Sequence, residues 1–226
     1  MDGTIYLENK MIDGAVKTLN YLMEMGKHIL FVTNKTTHSK YEYAEFLKNS
    51  GVQVIPEQIL TATDNTVSYL KEVKKGKIFY AIAEESLIKS IEDVGLVYSE
   101  KASAIEIIII SLDRNYSNKK YEIAKNALIN GAEFLAANID NTCPIINGEI
   151  VDAGTIISKL EIETSKKLIK HFGKPSLFMI SSIKENLKFD MGDYVLIGDR
   201  LETDIMMGSK IGIDTVLVKS GVFNQV

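Results

Sequence analysis

The sequence predicts an α/β fold organised around a parallel sheet, and three observations carry that expectation. Apolar runs of strand length alternate with stretches of helical period along most of the chain, as repeated βα units do. Helical stretches stop at glycines, as at Gly26 and Gly51, where the chain can leave the helix with a positive φ. Polar clusters stand close to the strand candidates, and open α/β sheets bind ligands outside the carboxyl ends of their strands.

The elements follow in order. Val16, Leu19, Leu22 and Met23 mark one face of a helix from Ala15 to Met25, and "HILFV", His28 to Val32, reads as a buried strand. Ser39 and Glu42 form a capping box for a helix reaching Ser50. A further helix is expected over Thr63 to Lys75, then the strand "KIFYAI", the helix "EESLIKSIEDVG", the strand "IEIIIISL", a helix from Asn118 to Asn130 and the strand "EFLAAN". At Asn147-Gly148 a two-residue turn between "PII" and "EIV" signals a hairpin, which interrupts the βα rhythm. The rhythm resumes after Gly173 with a helix over Leu177 to Leu187, the strand "YVLIG", a helix from Asp204 to Lys210 and the strand "TVLVK".

The 226 residues can bury one sizeable core, or a core with a smaller appended domain. With 26 Lys and Arg against 30 Asp and Glu, the net charge of −4 provides no broad positive field for nucleic acid or an anionic membrane, which excludes both as expected partners. The single cysteine, Cys143, suits a reducing compartment. The densest apolar run, Ile105 to Leu112, carries Glu106 and is too short to span a bilayer. The chain therefore reads as cytoplasmic, with small polar substrates open to it and a homo-oligomer neither required nor excluded.

Four stretches carry the candidate chemistry: "MDGT" at 1–4, "FVTN" at 31–34, "GKP" at 173–175 and "GDRLETD" at 198–204. Singly, each has an ordinary reading as a turn, a strand-to-helix connection or a solvated lysine, and Thr203 with Asp204 reads as a helix start. Jointly they suit a phosphoryl site. Asp199 after a strand end offers a hard oxygen of the kind Mg²⁺ prefers. Thr33 offers a hydroxyl and Lys174 a point charge to a bound phosphate. Other phosphate motifs fail on spacing: a P-loop ending at Lys174 would need a glycine at Leu168 and a Ser or Thr at Pro175. The three histidines are scattered, although His38 follows the Thr33 loop closely enough to touch a substrate.

In this order the four stretches resemble the motifs of the haloacid dehalogenase superfamily. The longer matches "IYLENKMIDGA", "FVTNK", "GKP" and "GDRLETDIMMGSKIGIDTVLVKSG" resemble its class IIA branch of phosphatases. The resemblance implies a Rossmann-like parallel-sheet core over residues 1–76 and 168–226, with an inserted α/β cap of the C2 type over 77–167. It also implies a Mg²⁺-dependent phosphatase of small phosphorylated metabolites, working through an aspartyl-phosphate. By that resemblance Asp2 is the acid/base and gives Mg²⁺ its backbone carbonyl, Thr33 and Lys174 are catalytic, Asp199 is a metal ligand and Asp204 supports the metal. Gly3, Thr33, Asn34 and Lys174 contact phosphate, and Asn138 and Asp140 of the cap face the substrate.

Two departures accompany the match. Lys35 stands where many relatives have a second asparagine. In the family's first motif, D-x-D-G-T, Asp2 matches the second aspartate and Met1 the variable position, so the nucleophile is expected one residue before Met1, at the end of an apolar strand. The stretch "GVFNQV" likewise reads as short of a final family helix. The competing expectation is a catalytically inactive member that binds a metabolite or regulates.

Overall fold

The computed structural model describes residues 1–221, and the end of "GVFNQV", 222–226, lies outside the described residues. Its largest sheet has five parallel strands: β5 (Ile78–Ile82), β6 (Val97–Tyr98), β7 (Ile107–Ile110), β8 (Glu133–Ala136) and β11 (Lys170–His171), in the order β11-β8-β7-β5-β6. Successive residues of a strand point to opposite faces, and both faces here are covered. Tyr80, Ile82, Ile108, Ile110 and Phe134 pack with α5 (Asn118–Ile129) and α6 (Ala153–Thr164), whereas Phe79, Ala81, Ile107, Ile109 and Leu135 pack with α3 (Ala62–Val73) and α4 (Glu85–Glu92). A strand buried on both faces needs no polar alternation, which is why β7 can read Ile-Ile-Ile-Ile. β11 begins beyond residue 167 yet pairs with β8, Lys170 opposite Leu135 and His171 opposite Ala136.

The rest of the chain forms smaller units. β3 (Phe31–Thr33) and β4 (Ile59–Thr61) are a parallel pair. Phe31 and Ile59 pack with Tyr43 and Leu47 of α2 (Lys40–Asn49), while Val32 and Leu60 face Met179 and Ile183 of α7 (Leu177–Glu185) and Met207 of α8 (Met206–Ile211). β12 (Val195–Gly198) and β13 (Asp214–Leu217) are a second parallel pair. Among the described residues two hairpins complete the strands: β1 (Tyr6–Leu7) with β2 (Lys10–Met11), and β9 (Thr142–Ile145) with β10 (Gly148–Val151). α1 (Ala15–Glu24) follows the first of them.

Most expected elements occur within a residue or two of their predicted bounds. The Ser39–Glu42 capping box forms at α2, and the expected hairpin forms one residue out of place: its two turn residues are Ile146 and Asn147, while Gly148, with a φ of 139°, already pairs with Ile145 at the start of β10. Three differences have local causes. The strand expected over His28 to Val32 is confined to Phe31–Thr33, the three residues with ladder partners in β4. α6, which the hairpin signal obscured, starts where the Asp152 carboxylate accepts the Ala153 N–H at 2.6 Å. The helix expected to start at Thr203-Asp204 begins instead with a π-helical turn over Leu201–Ile205, because the Asp204 carboxylate is committed elsewhere and the Thr203 hydroxyl has no partner. No described helix is long and apolar enough to cross a membrane.

Candidate active site

The four candidate stretches converge. Asp2, Thr33, Asn34, Asp140, Lys174, Asp199 and Asp204 line a single small pocket, together with Lys35, Asp152 and Arg200. Thr33 ends β3, Asp199 follows β12, and Lys174 lies three residues beyond β11, so strand ends supply the site as open α/β sheets do.

Lys174 is 6% exposed, and its Nζ donates to Asp204 Oδ1 at 2.6 Å. Burial alone would lower its pKa, but Asp204, Asp140 and Asp199 outweigh that and hold the ammonium charged. Asp204 is held below the usual carboxylate range because Lys174 overcomes the opposing effect of burial. The other Asp204 oxygen accepts the backbone N–H groups of Asp199 and Arg200, both at 3.2 Å. Asp204 therefore fixes both the cation and the turn that carries Asp199.

Asn34 clamps the lysine backbone. Its Oδ1 accepts the Lys174 N–H at 2.6 Å, and its Nδ2 donates to the Lys174 carbonyl at 3.3 Å and to Asp140 Oδ2 at 2.7 Å. Asn138 stands behind Asp140 and shares one amide between Asp140 Oδ2 at 3.3 Å and Asp152 Oδ1 at 3.0 Å. Burial and the neighbouring Asp140 push the Asp152 carboxyl up to about 7.

Asp199 is cradled by backbone. Gly3 has a φ of 77°, and a Cβ there would meet Asp199 Oδ2 at 2.3 Å; one on Gly221 would meet the same oxygen at 2.2 Å. Thr4 Oγ1 donates to Asp199 Oδ1 at 2.8 Å. Only glycine permits so close an approach. Asp2 pairs through Oδ2 with Lys35 Nζ at 2.7 Å, and its Oδ1 is buried without a hydrogen-bond partner. Thr33 Oγ1 accepts the Lys35 N–H at 3.2 Å.

Among the described residues no group of three or more His, Cys, Asp or Glu side chains closes on a metal position. Magnesium does not require one, since it takes one or two carboxylates and leaves the remaining positions to water and phosphate. The hard oxygens of Asp199 and Asp2, with the unpartnered Oδ1 of Asp2, fit such an ion.

Several site residues were not assigned roles from sequence. Asp152 lies between a hairpin and a helix that the periodicity did not separate, so it carried no signal. Arg200 sat inside a quoted motif without a role; its Nη2 donates to the Thr142 carbonyl at 2.6 Å and its Nε lies 3.9 Å from Asp140 Oδ1. It joins the β12 end to the β9 hairpin.

A buried cation, clustered carboxylates and strand-end hydroxyls define an anion-handling site of the hydrolase kind. Residues 1–97 match the family model described as haloacid dehalogenase-like hydrolase, and residues 171–226 match a second, HAD-hydrolase-like model. An acid sugar phosphatase of Staphylococcus haemolyticus is 30% identical over 222 residues, covering 98% of this chain and 84% of the relative. The structure of a p-nitrophenyl phosphatase from Archaeoglobus fulgidus superposes with a TM-score of 0.85 at 30% identity, covering 98% of this chain and 84% of that one. A glycerol phosphate phosphatase from Mycobacterium tuberculosis, solved in complex with magnesium, gives 0.82 at 25% identity over 98% of this chain and 66% of that one. The chain belongs to the haloacid dehalogenase-like hydrolases, in the class IIA branch where these phosphatases fall.

Proposed function

We propose that this protein hydrolyses phosphate monoesters of small metabolites, phosphorylated sugars and polyols among them, between a core of residues 1–76 and 168–226 and an inserted cap of 77–167. The observation that carries this reading is the buried Lys174–Asp204 pair set among Thr33, Asp199 and Asp2 in one pocket.

Lys174 presents a fixed positive charge to the phosphate, and the Thr33 hydroxyl donates to a phosphate oxygen. Asp204 supports the site by holding Lys174 and the Asp199 turn in place. Asp199, with the Asp2 backbone carbonyl, would hold Mg²⁺, which supplies charge neutralisation to the phosphoryl oxygens. By the resemblance to D-x-D-G-T, the motif's first aspartate is the nucleophile: its carboxylate oxygen bonds to phosphorus as the ester P–O bond breaks, and Asp2, the motif's second aspartate, gives its proton to the departing oxygen. Asp2 then takes a proton from water, the water oxygen bonds to phosphorus, and the aspartyl P–O bond breaks to release phosphate. Asp140 closes the substrate side from the cap, and Asn138, which does not line the pocket, holds it from behind. The buried lone Cys143, whose thiol burial pushes up to about 12, suits a reducing cytoplasm.

The test is hydrolysis of para-nitrophenyl phosphate with Mg²⁺ by the full protein and by its Asp2→Asn variant. The parent should turn over and Asp2→Asn should lose about 100-fold or more. Equal rates from the two would remove the acid/base assignment.

A further inference from the structure

Asp152 lines the phosphate pocket, and nothing in the mechanism above uses it. Five carboxylates line that pocket, Asp2, Asp140, Asp152, Asp199 and Asp204, against three side-chain cations, Lys35, Lys174 and Arg200. Each cation is committed to another acid: Lys35 to Asp2 at 2.7 Å, Lys174 to Asp204 at 2.6 Å and Arg200 to Asp140 at 3.9 Å. None of the three is paired with Asp152.

Asp152 and Asp140 are both buried, and both accept from one atom, Asn138 Nδ2, at 3.0 and 3.3 Å. Ser111 fixes that amide, because its hydroxyl donates to Asn138 Oδ1 at 3.3 Å and leaves the nitrogen end to face the acids. Two carboxylates in one buried site do not both ionise readily. Asp140 is the better placed to hold the charge, since its Oδ2 also accepts from Asn34 Nδ2 at 2.7 Å and Arg200 faces its Oδ1. Asp152 has, besides Asn138, the N–H of the adjacent Ala153 at 2.6 Å. Burial, then Asp140, push its carboxyl up to about 7. The other titratable or charged groups that face it are Arg200 after β12 and Cys143 of β9, whose thiol burial pushes up to about 12. Among the described residues no histidine lines the pocket.

The pair is tied to the lysine that meets phosphate. Asn34, which donates to Asp140, also accepts the Lys174 N–H at 2.6 Å and donates to the Lys174 carbonyl at 3.3 Å. A second charge on Asp152 repels Asp140 from the amide they share, disturbs the Asn34 clamp on Lys174, and adds negative charge to a wall that faces the phosphate.

We propose that Asp152 is a positioning residue that keeps its proton while phosphate is bound: as a neutral carboxyl it leaves Asp140 on Asn34 and Lys174 in place, and as a carboxylate it weakens the phosphate site. The inference rests on the phosphatase reading and adds a regulation to it, an affinity for the phosphate group that falls as pH rises through neutrality.

The test is steady-state hydrolysis of para-nitrophenyl phosphate with Mg²⁺ from pH 6 to pH 8 by the full protein and by Asp152→Asn, whose amide is neutral at every pH. The quantity read is kcat/KM of the parent divided by that of the variant at each pH, a ratio in which the ionisation of the substrate and of Asp2 cancels. It should fall about 10-fold over that range, as for a group of pKa about 7 that must stay protonated, and the change should lie in KM. A ratio that is constant with pH, or one whose change lies wholly in kcat, overturns the inference and leaves the phosphatase reading standing. If Asp152→Asn does not fold, the parent decides: its calorimetric affinity for sulfate, a dianion throughout this range, should weaken about 10-fold from pH 6 to pH 8, and a constant affinity overturns the inference. If the parent hydrolyses nothing at any pH, the phosphatase reading fails and the inference goes with it.

Discussion

The five-stranded sheet and the β12–β13 pair are built from similar apolar runs, yet their side chains meet different fates. Ile107 to Ile110 of β7 are all 0% exposed, flanked by β5 and β8 and covered on both faces by helices. Val195 and Ile197 of β12 are 51% and 47% exposed, and Val216 of β13 is 46% exposed. The first region has a self-contained apolar core. The second spends its buried residues on polar work: Gly198, Asp199, Thr203 and Asp204 are buried around Lys174 while strand residues beside them face outward. Burial in one region follows hydrophobicity, and in the other it follows charge pairing.

Four experiments would break or sharpen that contrast. Lys174→Met should cost most, about 3–5 kcal/mol of stability, because it leaves Asp204 buried without its cation; urea denaturation measures the loss, and a cost below about 1 kcal/mol would mean that the pair behaves like a surface salt bridge. Ile109→Ala should cost about 2–5 kcal/mol through lost contacts and a cavity between two packed faces, read by the same method.

Asp152 gives a dependence on pH. Its native pKa is raised from 3.8 to about 7, so the native state keeps a proton that the unfolded chain releases. Its contribution is present at low pH and is lost as pH rises through that window. Urea midpoints at pH 5 and pH 8 should differ less in Asp152→Asn than in the parent, and an unchanged difference would show that the Asp152 carboxyl is not raised into that window. Ile197→Ala should have the smallest effect, within about 0.5 kcal/mol, as for an exposed position. A larger loss would show that β12 is covered in solution.

Local physics made much of the fold legible. Apolar runs, stop glycines and the Ser39–Glu42 box depend on residues a few positions apart, and each produced its element; the Asn147-Gly148 signal produced its hairpin with the turn one residue earlier, at Ile146-Asn147. Very short strands did not announce themselves. β6 and β11 have two residues each, and only a parallel partner far along the chain makes them strands. For the site, the sequence by itself determined which residue types were on offer: Asp2, Thr33, Lys174, Asp199 and Asp204 in motifs that resembled a known order. Only the tertiary structure decided their partners. Asp204, which from its neighbours reads as part of a helix start, is committed instead to Lys174, 30 residues away. Asn34 joins Lys174 to Asp140 across separations of 140 and 106 residues. The reason is electrostatic: a buried charge must find an opposite charge or a donor, and the nearest in space is set by how strands and loops pack rather than by position along the chain.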